Sequence, residues 1–267
     1  MQTKQKIINK HQQQYYENID KSYSVRLLKK FHDVLKKMEN RHCIKILDIG
    51  GGSGYFSSLV YEYFFDMNID CEVFVIDTIK YDTWRNKIFH GKITFIEVSA
   101  ERLSQVFEKE TFDIVFAKYV FHHFVKDTWK KSIDCMTSII MQIKYIIKKD
   151  SYLCIVDQFY NGLLGDTSAS RMIYRFTSCR KSFFVKIFKN MGAQSAGVGV
   201  CFLSKKMWYK LFLAANFFVE KIEEPLPRKM KWYMHIGLLL RTWNDGCVII
   251  ANSGQSGLTE LEKCKVS

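Results

Sequence analysis

Apolar residues along this chain fall into two rhythms, one of helices and one of buried strands. Val25, Leu28, Phe31, Val34, Leu35 and Met38 recur at helical spacing and predict a helix ending before Cys43, with Ser22 or Ser24 as N-cap. Ile44 to Ile49 is a short apolar run interrupted by Asp48, the pattern of a buried strand. A glycine-rich turn follows, and Tyr55, Phe56, Leu59, Val60 and Tyr63 then resume a helical period. Four more strand-like runs appear at Glu72–Asp77, Ile93–Val98, Phe112–Ala117 and Tyr152–Asp157. Between the last two lies a long helix carrying Ile133, Met136, Ile139, Ile140, Ile143 and Ile147 on one side, capped by Asp127 or Thr128. This alternation through five repeats predicts a parallel, doubly wound α/β sheet.

The C-terminal half is less regular. Gly162, Gly165 and Asp166-Thr167-Ser168 mark a turn and a cap, and Met172, Ile173, Phe176, Phe183, Phe184, Ile187 and Phe188 predict a helical pair or a bent helix. Ser204 to Leu211 reads as a capped helix. Asn244-Asp245-Gly246 predicts a turn into a last, antiparallel strand, Cys247 to Ala251. The segment from Trp232 to Leu240 suits a helix or a strand. These elements place residues 1–253 in one domain, with 158–203 as an insertion over the ligand-bearing edge of the sheet and 254–267 as a frayed tail.

Composition narrows the class. The chain of 267 residues is 48% apolar and 25% charged, which suits a globular protein with a full core. No apolar run approaches the roughly 20 residues that cross a bilayer. Residues 1–20 are polar and glutamine-rich, so a secretory signal is not expected. The eight cysteines are spread singly without a C-x-x-C pair, which indicates neither a metal centre nor a disulfide framework and fits reduced thiols in the cytoplasm. A formal net charge of +13 would attract nucleic acid, anionic lipid or an acidic small molecule. The lysines are scattered, however, and the basic pairs Arg180-Lys181 and Lys205-Lys206 are thin for a nucleic-acid patch, so solvation is the favoured reading.

Candidate chemistry centres on Asp48-x-Gly50-x-Gly52-x-Gly54. Glycines there let the backbone turn sharply and approach a ligand, and the turn feeds a helix N-terminus, a place suited to a nucleotide-like group. The dinucleotide fingerprint G-x-G-x-x-G fits poorly, because its third small residue falls on Tyr55 or Ser57. Asp77 closes the second strand, 23 residues beyond Gly54 (77 − 54), where a carboxylate is placed to accept hydrogen bonds from a ribose diol.

The glycine motif resembles the first motif of the class I S-adenosylmethionine-dependent methyltransferases. After the fourth strand, Lys118-Tyr119-Val120-Phe121-His122-His123-Phe124 resembles the corresponding segment of the small-molecule branch that acts in ubiquinone and menaquinone biosynthesis. The resemblance implies a Rossmann-like, doubly wound seven-stranded sheet, mostly parallel with an antiparallel last strand. N-terminal helices over residues 1–40 and a helical insertion after the fifth strand accompany it, and Ala214 to Val219 resembles the family's helix end and return strand, with Asn216 where glycine is usual. It implies S-adenosylmethionine as cofactor and S-adenosylhomocysteine as product. The cofactor would be held by Asp48, Gly50, Gly52, Gly54 and Asp77, by Ser99 and Ala100 near the adenine, and by Lys118 and Tyr119 near the methionine part. The family usually has an aspartate where Ser99 stands; a hydroxyl accepts the adenine bond more weakly, or a backbone group replaces it. The Asp/Asn-Pro-Pro-Tyr/Phe tetrapeptide of many N-methyltransferases is absent, as is a cysteine in the position used for pyrimidine C5 methylation.

A hydroxyl acceptor gains from a base, and His122 or His123 suits that role. Asp157, Gln158 and Tyr160, just past the fifth strand, are candidates to touch the acceptor, as are Tyr15 and Tyr16 in the N-terminal cover. The expectation is a cytoplasmic enzyme methylating a small molecule, with oxygen favoured over nitrogen or carbon. An RNA methyltransferase and a non-catalytic protein that binds S-adenosylmethionine are the alternatives.

Overall fold

The computed structural model describes residues 21, 23–80, 84, 92–183, 185–186, 195–223, 229–230 and 232–251. Tyr15, Tyr16, Ser22 and the tail 254–267 lie outside them. A seven-stranded sheet takes its strands in the order Ile93–Glu97, Asp70–Asp77, Cys43–Ile49, Phe112–Lys118, Ile147–Gly162, Leu240–Ala251 and Phe218–Glu223, as the alternating pattern and its two C-terminal strands led one to expect. The chain divides into two units, residues 1–99 and 100–267.

In the first unit, residues 23–30 are helical and lead into α1 (His32–Lys37). Ser24 is buried inside this helical stretch rather than capping it. Strands β1 (Cys43–Ile49), β2 (Asp70–Asp77) and β3 (Ile93–Glu97) pair in parallel, with Asp48 opposite Val75 and Asp77 opposite Glu97. Helix α2 (Tyr55–Phe65) follows the glycine turn and buries Phe56, Val60 and Phe64. Phe31 meets Phe56 edge-on at 6.2 Å, and the Tyr63 hydroxyl donates to Glu39 at 2.6 Å, so the N-terminal helical segment is bound to α2 by packing and by a polar bond.

The second unit starts with a short turn and α3 (Leu103–Val106), then β4 (Phe112–Lys118), α4 (Trp129–Ile146) and β5 (Ile147–Gly162). Thr128 is the N-cap of α4, accepting the Lys131 N–H. Helix α4 stops at Ile146; Ile147, placed on the helix by its period, instead opens β5 in an extended conformation. Every residue of β4 is buried, which suits the apolar run Ile114–Ala117, and buried Asp113 is met by the Lys148 ammonium at 2.8 Å. After β5 come α5 (Asp166–Thr177), α6 (Lys205–Ala214), β6 (Phe218–Glu223), α7 (Trp232–Gly237) and β7 (Leu240–Ala251). Gly165 rather than Asp166 takes the N-cap position of α5, with no side-chain cap. Of the apolar residues assigned to a helical pair, Met172, Ile173 and Phe176 are on α5, Phe183 is exposed, and 184, 187 and 188 are not described. Asn216 adopts a left-handed conformation (φ 54°) at the bend between α6 and β6, as glycine would.

The main departure from the sequence reading is the length of the β5–β7 pair. The expected turn Asn244-Asp245-Gly246 lies inside β7, opposite Phe159, Gln158 and Asp157. Antiparallel pairing along all of β7 extends β5 past Asp157 to Gly162. Gly246 serves close approach, not a turn: a Cβ there would stand 2.3 Å from the Phe159 ring. Trp232 to Leu240 proves to be a helix followed by the start of that strand.

Gly246→Ala should therefore cost about 1–3 kcal/mol by forcing the fully buried Phe159 aside. Chemical denaturation measures it, and a change below ~0.5 kcal/mol would contradict the packing argument.

Candidate active site

The glycine turn is built by three left-handed glycines, Gly50, Gly52 and Gly54, with φ of 67°, 54° and 73°. Residues with a Cβ are strained there, which accounts for their alternation in the motif. Two carboxylates hold the turn. Asp48, almost fully buried on β1, accepts the Ser57 hydroxyl at 2.7 Å and so links the strand to the first turn of α2. Asp77, at the end of β2, accepts the Gly52 N–H at 3.1 Å through Oδ2, and the Thr78 and Ile79 N–H groups at 2.7 and 3.3 Å through Oδ1. Burial raises the Asp77 carboxyl above the usual carboxylate range; its three backbone donors act the other way, and the charge of Asp48 adds to the rise.

A carboxylate offers roughly four acceptor positions. Three are occupied at Asp77, which leaves Oδ2 able to take one more donor. The group is half-buried, so a ligand hydroxyl can reach it.

Trp84 was not foreseen from the sequence. Its indole N–H donates to the Gly52 carbonyl at 2.8 Å, and its ring rests on Gly54, where a Cβ would be 2.3 Å away. Phe95 on β3 supports the same ring at 5.0 Å. Gly54 therefore has two constraints, its φ and the indole above it. A tryptophan seven residues past Asp77 carries no spacing signal that points to the turn; only the fold brings them together. Ser99, half-buried, follows β3 by two residues.

In the second unit, buried Ala100 opens the turn before α3. Lys118 is the last residue of β4 and is largely buried. Tyr119 leaves the strand in a left-handed conformation (φ 51°), with its N–H bonded to the Val156 carbonyl at 2.7 Å. A non-glycine residue held at positive φ stores strain, and such positions cluster at functional sites. The reversal turns the chain into the short 3-10 segment Phe121–His123.

There His122 and Asp157 are paired. His122 Nδ1 lies 2.7 Å from Asp157 Oδ1, and the His122 backbone N–H donates to Oδ2 at 3.1 Å. The Gln158 N–H also donates to Oδ1, at 2.8 Å. Asp157 is thus 2% exposed yet well supplied with donors, and it fixes the imidazole tautomer with hydrogen on Nδ1. In the neutral imidazole Nε2 then carries the lone pair. The ring is also stacked on Phe202 at 4.6 Å, while the Cys201 N–H donates to the His122 carbonyl at 2.9 Å. Burial pushes the Cys201 thiol up to about 12, so it stays protonated and is no nucleophile.

His123 is exposed, and its ring lies 4.1 Å from that of His122. Asp157, expected near the acceptor, is paired with His122. Tyr160 is buried: its ring stacks on Trp243 at 5.7 Å and its hydroxyl donates to Gln158 at 3.2 Å. Among the described residues, no cluster of three or more His, Cys, Asp or Glu side chains is placed to hold a metal ion.

Comparison with known proteins bears on these segments. The methyltransferase-domain family model matches residues 47–142, a span that includes the glycine turn, Asp77 and the segment after β4. No protein of curated function matches the chain. The YcgJ protein of Bacillus subtilis is similar in structure, with a TM-score of 0.54 at 16% identity over 87% of this chain and 100% of that one. An S-adenosylmethionine-dependent methyltransferase from Archaeoglobus fulgidus gives 0.54 at 14% identity over 88% and 99%. Geranyl diphosphate methyltransferase, solved with geranyl diphosphate and sinefungin, gives 0.52 at 9% identity over 84% and 76%.

The bond from Trp84 to Gly52 gives a direct test of the turn. Trp84→Phe keeps a ring over Gly54 but removes the donor, and should cost ~1 kcal/mol in chemical denaturation. Gly54→Ala should cost more, because it meets both the indole and a φ of 73°. An unchanged stability in Trp84→Phe would show that the indole N–H does not brace the turn. Together the strand order and the matched segments show that the chain has the class I methyltransferase fold.

Proposed function

We propose that this protein is an S-adenosylmethionine-dependent methyltransferase of the cytoplasm, a single domain acting on a small molecule, with oxygen the favoured acceptor atom. The fold and the domain match over residues 47–142 support the cofactor class. The observation that carries the choice of oxygen is the His122–Asp157 pair.

The residues present fit the cofactor. Asp77 offers an acceptor to a ribose hydroxyl, and the second hydroxyl of the diol would take over from the long bond to Ile79 or the one to Gly52. Gly50, Gly52 and Gly54 bear no side chains that would bar the methionine part from the turn. Lys118 and Tyr119 are assigned to that same part, and Ser99 and Ala100 to the adenine. When bound, S-adenosylmethionine supplies a methyl group on a sulfonium, and its transfer leaves the neutral thioether of S-adenosylhomocysteine.

The chain's own part in the step is to hold the acceptor in line and to move one proton. Nε2 of His122 would accept the proton that the acceptor hydroxyl gives up as it is methylated. Asp157 then stabilises the imidazolium through Nδ1–H, as a buried carboxylate behind a catalytic histidine does. An amine acceptor would need no such base. A small acceptor also accords with geranyl diphosphate methyltransferase as a structural neighbour.

His122→Ala should lower kcat by about 10²-fold on a hydroxyl acceptor, with little change in the affinity for S-adenosylmethionine. Asp157→Asn, which disturbs the Nδ1–H tautomer, should lower it in the same sense. Unchanged kcat in both variants across a panel of phenols and alcohols would remove the base. Asp77→Ala should weaken the cofactor by at least tenfold, read by calorimetry. The hydroxyls of the ribose donate, so they favour the ionised carboxylate. Cofactor affinity should therefore fall as the pH is lowered, starting above the ordinary carboxylate range because the Asp77 carboxyl is raised.

A further inference from the structure

Beyond the candidate site, the second unit carries a group of exposed apolar side chains. Leu163 and Leu164, in the turn after β5, are 54% and 74% exposed. Trp232 and Ile236, on α7, are 74% and 69% exposed. Residues four apart share one face of a helix, so the last two present a common edge.

This edge is anchored from behind. Leu238 and Met230, flanking α7, pack against the buried cluster that includes Tyr160, Ile173, Phe202 and Leu240. His235 Nδ1–H donates to the Leu240 carbonyl at 2.9 Å. The leucine turn is tied to the same place, since the Leu163 N–H donates to the Leu239 carbonyl at 2.8 Å. Leu239 itself is held at φ 52°, in the bend between α7 and β7. The leucine turn is therefore tied to the bend that follows α7, where the β5–β7 ribbon ends.

The sequence around α7 is basic, while Asp166, two residues past Leu164, is paired with Lys206 at 3.7 Å. From Pro225 to Asn244 the sequence contains Arg228, Lys229, Lys231 and Arg241 and no aspartate or glutamate. Lys229 and Arg241 are exposed. Tryptophan and aliphatic residues beside lysine and arginine suit the boundary between headgroups and acyl chains, where the indole is favoured and the cations meet lipid phosphates. No helix among the described residues is long and apolar enough to cross a membrane, so the contact would lie on one surface.

We propose that the Leu163–Leu164 turn and α7 form a docking surface for an anionic lipid bilayer. Leu163, Leu164, Trp232 and Ile236 enter the interface, and Lys229 and Arg241 face the phosphates. Both attractions are needed: the four side chains set the depth, and the cations set the preference for anionic lipid.

The test is co-sedimentation of the full chain with vesicles of phosphatidylcholine alone, or containing about 30% phosphatidylglycerol. The parent protein should bind the anionic vesicles and much less the neutral ones. Trp232→Ser with Ile236→Ser should lower binding to anionic vesicles by about tenfold. Leu164→Ser, in the turn rather than the helix, should lower it in the same direction. Arg241→Glu should weaken binding to anionic vesicles alone. All these side chains are exposed, so the thermal midpoint should hold, and the leucine variant serves if the helix variant is unstable. Absence of vesicle binding by the parent would overturn the proposal. So would unaltered binding by both apolar variants, which would mark adsorption through net charge. A parent dimer that the helix variant turns into a monomer, without vesicle binding by the parent, would assign the surface to a second copy instead.

Discussion

A carboxylate withdrawn from water must be met by donors, or its burial costs several kcal/mol. Three aspartates of the strands impose that condition, Asp48 and Asp77 in the first unit and Asp157 in the second. Asp48 is met by the Ser57 hydroxyl, which joins β1 to α2 beneath the glycine turn. Asp77 is met by three backbone N–H groups, one of them from Gly52, which fixes the turn to the end of β2. Asp157 is met by His122 twice and by the Gln158 N–H. The loops that bear the candidate chemistry are thereby held by strands, in conformations that would otherwise be costly.

The aspartates differ in what they leave for a ligand. Asp77 is half-buried and retains room for a donor, which suits a group that binds. Asp157 is buried and committed to His122, which suits a group that orients. This separation is chemically sensible: the first must exchange partners with a ligand, while the second must keep a tautomer unchanged through a proton transfer. Tyr119, at positive φ between β4 and the histidine segment, shows the strain that such positioning involves.

Much of this was legible in the sequence because local pattern and tertiary role coincide. The apolar runs of β1, β2 and β4 are buried strands, and the glycines of the turn take the positive φ for which glycine is suited. Thr128 caps α4 through its own hydroxyl. What was not legible depends on distant partners. Asn244-Asp245-Gly246 has the chemistry of a turn, but pairing with β5 overrides it, and Gly246 answers to a ring 87 residues away in sequence (246 − 159). Asp157 and His122 are separated by 35 residues, and nothing in their spacing announces a bond. Trp84 on Gly54 belongs to the same class.

The central claim is that the turn from Asp48 to Gly54 and the carboxylate of Asp77 receive S-adenosylmethionine. Isothermal titration of the unmodified protein with S-adenosylmethionine and S-adenosylhomocysteine addresses it without assuming an acceptor. The account predicts saturable binding of both at one site per chain, with no binding of a nicotinamide dinucleotide. Absence of heat and of a thermal shift with either sulfur compound would contradict it.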